Sequence, residues 1–217
     1  MTGFPGSPRL LKGGIVLVDP DSGAVQRIIA LQYNPETLTR TLQPQGVTAE
    51  GGDRQEATRL KGPPIETIKL DAEIDATDQL ELGVPPSTTS GIHPLLAALE
   101  MIVYPPSSQL LANNALAQAG TLEIAPMLAP LTLFIWSKNR IVPVRLTDFS
   151  ITEEAFDPAL NPIRAKVSLG MRVLSVSDLG FNVKGGSLFM AYQQQKEQLA
   201  GQSAPGTLSA LGIGGIP

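Results

Sequence analysis

Alternation of apolar and polar side chains, the mark of a strand with one buried face, is cleanest over Ile163–Leu174. Ala165, Val167, Leu169, Met171 and Val173 share one side there, and Lys166, Ser168, Gly170 and Arg172 share the other. Shorter or less regular runs predict strands at Ile15–Val18, Val25–Leu31, Thr37–Leu42, Ile65–Ile74, Leu131–Trp136 and Ile141–Thr152. Turn chemistry separates several of them. Asp19-Pro-Asp-Ser-Gly23 and Ser137–Arg140 close hairpins, and Asn34-Pro35 favours a turn because proline excludes its predecessor from the helical region. Pro143 removes a backbone donor and predicts an edge position or a bulge.

Helical spacing is clearest over residues 92–104, where Leu95, Leu96, Leu99, Ile102 and Val103 form one apolar face. Pro94 suits the first turn, and Pro105-Pro106 stops the helix. Ser187–Ala200 reads as a surface helix capped by Ser187. Asp75–Gly91 reads as a long connection, and Ser107–Gly120 as a helical turn or loop. Six to eight mostly antiparallel strands with one packed helix predict a mainly β, α+β fold, an antiparallel barrel or sandwich.

Residues 1–12 form an N-terminal arm, 13–180 the β domain, and 181–217 a C-terminal extension ending in a Gly/Ser/Pro tail. Residues 43–64 lack an apolar stripe and carry Asp53, Arg54, Glu56, Arg59 and Lys61 among several glycines. Two readings are open for this segment: a mobile surface loop, or an arm that orders against a neighbouring subunit.

Composition then removes most chemistry. The 217 residues contain no cysteine and one histidine, His93. Thiolate metal sites, disulfides and multi-histidine centres are thereby excluded. A serine triad would have to run through His93, with Ser90 or Asp78 as nameable partners, and no spacing supports it. Neither a nucleophile elbow nor a phosphate loop occurs. Asp71, Glu73 and Asp75 share one strand face without a calcium-loop pattern, so they read as a charge row, solvated or between subunits. A net charge of -4 argues against coating duplex nucleic acid. No apolar run suffices to cross a bilayer, and no secretory leader opens the chain, so assembly in the cytoplasm is expected. The expected inventory is no catalytic residue, no cofactor and no metal, leaving a structural role.

The run Leu31–Arg40, with Tyr33, Asn34, Pro35 and Arg40, resembles the start of the tube-type proteins of contractile injection systems. In these phage-tail-like particles an inner tube is fired from a contracting sheath. Similar features follow in order: His93-Pro94 opening a helix, the Pro130–Trp136 strand, Val144–Glu153, and Asp157, Pro158, Asn161 and Pro162 before the last long strand. Members commonly carry a C-terminal LysM module, which is not apparent here. The resemblance implies a tail-tube-type β domain in a homo-hexameric ring close to the baseplate. Its partners would be the spike protein, the inner tube protein and other baseplate components, with no specific nucleic acid and no stable membrane insertion. It also places Asp53, Arg54, Glu56 and Arg59 at a contact between stacked rings. The main inner tube protein of such a particle or of a related tail is the alternative, and a β-barrel enzyme or small-molecule binder is the third reading.

Overall fold

The computed structural model describes residues 11–46, 59–83, 85–120 and 129–216. Among them, seven strands form one antiparallel sheet: β1 (Gly14–Val18), β2 (Val25–Ala30), β3 (Leu38–Gln43), β4 (Ile65–Asp75), β5 (Leu131–Ile135), β6 (Ile141–Phe156) and β7 (Pro162–Val173). Their order is β2-β1-β5-β6-β7-β4-β3. The alternation read in β7 is present: Ala165, Val167, Leu169, Met171 and Val173 are buried, while Arg164, Lys166 and Ser168 are exposed. In β4 the inward phase is Glu66, Ile68, Leu70, Ala72 and Ile74. These rows meet Ile15 and Leu17 of β1 and Phe134 of β5 in the principal core. The opposite side of β1 and β5 buries Val16, Val18, Leu131 and Leu133 as a second cluster.

β6 divides the sheet into two parts. It pairs with β5 only through Ile141–Val144, whereas its pairing with β7 continues to Phe156. A register shift between Leu146 and Asp148 marks a bulge, which adds local bend and twist. Opposite the bulge stands Gly170, where an added Cβ would lie 2.7 Å from an Asp148 carboxylate oxygen. Glycine lets Asp148 lie across the partner strand.

Pro143 is neither on an edge strand nor in the bulge. Its carbonyl accepts from the Leu174 amide at 2.8 Å, one residue beyond the last pair of the β6–β7 ladder, Val144↔Val173. A strand residue directs its N–H and C=O to the same side, so the missing donor falls where that ladder is already ending.

Helices fill the connections. The expected long loop after β4 contains α1 (Thr77–Glu81) and α2 (Ser87–Ser90), and the expected turn or loop at 107–120 is α4 (Ser107–Gln118). The helix read over 92–104 is α3 (His93–Glu100), with turns beyond it; Leu96 and Leu99 enter the core. After the short α5 (Val176–Leu179) comes α6 (Lys184–Gly201). α6 is not a surface helix, because Phe189 and Tyr192 join the principal core. Ser187 is not its cap either. The N-cap is Val183, and the Ser187 hydroxyl donates to the Lys184 carbonyl at 2.8 Å inside the first turn. The packed helices are therefore α3 and α6 rather than one.

Gly91, between α2 and α3, has φ +54, and a Cβ there would lie 2.2 Å from the Pro162 carbonyl oxygen. Gly91→Ala is expected to cost on the order of 3 kcal/mol, from backbone strain plus a clash with backbone. Urea titration checks this: the midpoint should fall with the slope unchanged.

Candidate assembly surfaces

Outside the core, β6, β7, β4 and β3 present a continuous polar face. The register aligns its side chains in rungs: Arg145–Arg172–Thr67, Asp148–Gly170–Lys69, Ser150–Ser168–Asp71, Thr152–Lys166–Glu73 and Glu154–Arg164–Asp75. Thr39 and Thr41 of β3 continue the second and first rungs. Arg164 bonds Asp75 at 2.8 Å, Lys166 reaches Glu154 at 3.1 Å, and the Ser168 hydroxyl donates to Asp71. Burial opposes ionisation of Asp75, but hydrogen bonds from Thr77 and the Arg164 guanidinium hold its carboxyl below the ordinary range. Asp71, Glu73 and Asp75 thus share a face as read, inside a ladder of opposite charges. Among the described residues no cluster of His, Asp or Glu is arranged to hold a metal ion.

Among the described residues, the four-stranded part has two unpaired edges. One is β3, which pairs only with β4. The other is the far half of β6, Asp148–Phe156, which pairs with β7 alone because β5 stops at Val144. Just inside this edge Phe149 and Ile151 are only partly buried against the core. On β3, Leu42 is 46% exposed and lies on the core-facing phase. The strand β2 also has an open side, with Ile28 69% exposed.

A buried polar network fastens β3 to α6. Arg40 forms an ion pair with Glu66 at 2.7 Å and donates to the Tyr192 hydroxyl at 3.1 Å. Tyr192 donates in turn to Glu66 at 3.0 Å, and Lys196 lies 3.6 Å from the same carboxylate and 4.1 Å above the Tyr192 ring. Glu66 is only 3% exposed, so these partners are what make an internal carboxylate tolerable. Arg40 was named by the sequence; Glu66 and Tyr192 were not. The signal was there in Glu66, a carboxylate on the apolar phase of β4.

The remaining motif residues hold the chain at two other places. Asn34 accepts from the Gly13 amide at 2.9 Å and donates to the Leu11 carbonyl at 2.7 Å, clasping the N-terminal segment. Beside it, Gln32 accepts from the Asp75 amide at 2.9 Å and donates to the Asp75 carbonyl, tying the end of β2 to the end of β4. Tyr33 is 47% exposed, and Pro35 is half-buried. Asp157 and Asn161 close the β6–β7 turn: the Asp157 carboxylate accepts the Asn161 side-chain and backbone N–H groups, each at 2.8 Å. Those bonds, with the Ala159 amide and nearby His93, keep the Asp157 carboxyl below its usual range. Pro158 is exposed in this turn, and the Pro162 carbonyl accepts from Ile92 at 2.9 Å. The turn thereby docks where His93 and Pro94 begin α3.

Of the expected inter-ring residues, Asp53, Arg54 and Glu56 lie outside the described residues. Arg59 is exposed at the base of the arm, where Gly46 bridges Leu60 and the Lys61 amide donates to Gln45 at 2.8 Å. The segment 43–64 thus leaves and rejoins the sheet as a continuation of the β3–β4 hairpin. A separate cavity of about 220 Å³ lies among Leu31, Ala72, Ile74, Leu95 and Leu99, with Glu73 the single titratable side chain lining it.

No protein-family model matches the sequence, and no curated protein matches it significantly. Among solved structures, a chain from the tail of an empty GTA particle, refined helically with C6 symmetry, is 15% identical with a TM-score of 0.28. The match covers 75% of this chain and 90% of that one. At that TM-score the two share too little geometry to bear on function. No helix among the described residues is long and apolar enough to cross a membrane.

Burial, then the negative charge of Glu66, pushes the Tyr192 hydroxyl up to about 12. A folded value above the unfolded one, about 10, supplies stability that is complete below pH 10 and lost as pH rises toward 12. Tyr192→Phe should remove that component from the alkaline limb of a stability–pH profile. The same change should cost on the order of 1 kcal/mol at neutral pH, because Arg40 and Glu66 each lose a partner.

Proposed function

We propose that this chain is a structural subunit of a phage-tail-like contractile injection system, closing into a six-membered ring of the inner tube next to the baseplate. The observation that carries the reading is the pair of edges, open among the described residues, on the four-stranded tract β6-β7-β4-β3 of the sheet. β6 and β3 bound a set of four antiparallel strands, so they run in opposite directions. A rotated copy can therefore bring its β3 alongside Asp148–Phe156 and continue the ladder antiparallel. Each contact is heterologous, and rotation closes the ring. The pairing satisfies edge groups that would otherwise be an aggregation hazard, and it brings Leu42 toward the partly buried Phe149 and Ile151.

The order of motifs from Tyr33 to Pro162 supports the family, and the arm growing from the β3–β4 hairpin supports a grip on the next layer. In this role the subunit joins spike to tube and seeds tube growth, and no substrate is turned over.

Electron microscopy of the purified chain, alone and with spike and tube proteins, tests the assignment. Rings that cap the spike or nucleate the tube are expected. Long tubes formed without partners would assign it as the main tube protein instead, and a monomer indifferent to both would overturn the reading. Leu42→Lys places a charge on the inner phase of the edge strand. It should leave monomer stability within about 0.5 kcal/mol while abolishing rings.

A further inference from the structure

Neither the open side of β2 nor the apolar cavity beside it takes part in the ring contact. The two features adjoin. Among the described residues β2 pairs with β1 alone, and a free edge offers backbone groups to a further strand. Ile29 and Ala30 at the end of β2, with Leu31 and Gln32 just after it, also line the cavity of about 220 Å³. Ala72 and Val167, both buried, form its deep wall, and Leu95 on α3, 48% exposed, marks its mouth. Gln32 commits both ends of its amide to Asp75. Among the described residues no buried side-chain nitrogen or oxygen lining the space lacks a partner. An apolar cavity of about 150 Å³ takes up benzene, so this one has room for a side chain as large as phenylalanine.

Residues directly opposite in an antiparallel pair share a face. Ile29 stands opposite Ile15 and Arg27 opposite Leu17, so both point to the side of the principal core. Ile28, opposite Val16, points the other way and is 69% exposed. Arg27 is exposed, and among the described residues it has no ion-pair partner.

We propose that β2 and this cavity form a docking site for an extended segment of a partner protein, which adds a strand antiparallel to β2. One large apolar side chain of that segment, opposite Ile29, enters the cavity. The next residue is apolar and covers Ile28, and the one after is a carboxylate that meets Arg27. The main chain supplies the ladder, while the pocket and the charge decide which sequence fits. Antiparallel running fixes the order in the partner as large apolar, apolar, acidic from its N-terminal side. The site uses neither β3 nor the free half of β6, so it stands independently of the ring reading.

The test is fluorescence anisotropy of a dye-labelled synthetic peptide, Thr-Thr-Phe-Val-Glu-Thr-Thr, titrated with the full chain. Saturable binding is expected, weakened about tenfold or more when the peptide's phenylalanine is replaced by alanine. Ala72→Leu narrows the cavity and should weaken the parent peptide likewise, with circular dichroism attesting its fold. Arg27→Glu changes an exposed residue and should weaken binding several-fold. A peptide carrying lysine in place of glutamate should bind that variant better than the parent peptide does. No saturable binding would overturn the proposal, as would binding indifferent to loss of the phenylalanine or a charge swap that recovers nothing. Uptake of toluene by a chain that ignores the peptide would make the cavity a small-molecule site and overturn it too. Rings seen by electron microscopy alongside any of these failures would leave the ring reading in place.

Discussion

A β-strand can hydrogen-bond to two neighbours, and β6 spends that capacity unequally. β7 accompanies it nearly to its end, while β5 leaves it after Val144. The rest of the structure follows from this. The short strands β1, β2 and β5 can fold back over one side of the long ones, and Gln32 can reach across to Asp75. The long strands keep a four-stranded tract with an edge on each side. Were β5 to accompany β6 along its whole length, the far half of β6 would have no free side.

Opening edges has a structural cost, because an edge strand is held from one side only. β3 is the strand most at risk, and the Arg40–Glu66–Tyr192 network holds it from the core side. Burying Glu66 is unfavourable in itself, and replacing one member alone leaves the others uncompensated. The arrangement therefore couples the C-terminal helix to the register of the edge strand. The β6–β7 turn is fastened in a comparable way, by Asp157 and Asn161 within it and by Pro162 against the start of α3.

Much of this was legible in the residues. Clean period-two alternation located β7, short runs bounded by turn residues located β1, β2 and β5, which do not alternate, and Pro94 with Leu96 and Leu99 located α3. What alternation could not reveal was where pairing stops. The free half of β6 depends on β5 ending, a fact about another strand. Pro143 misled for the same reason, because its missing donor is harmless only where β7 ends. In α6, Tyr192 stands at the head of a run of three glutamines, and its burial is matched by what Glu66 and Arg40 offer across the core. Asn34 and Asp157 were picked out by resemblance, but their hydrogen bonds to Leu11, Gly13 and Asn161 required coordinates.

The clasp that Asn34 closes on Leu11 and Gly13 has a kinetic corollary. One side-chain amide holds both Leu11 and Gly13, so the entry to β1 and the turn after β2 open together or not at all. Two hydrogen bonds must break before either frays, and local opening at that corner is a single cooperative event.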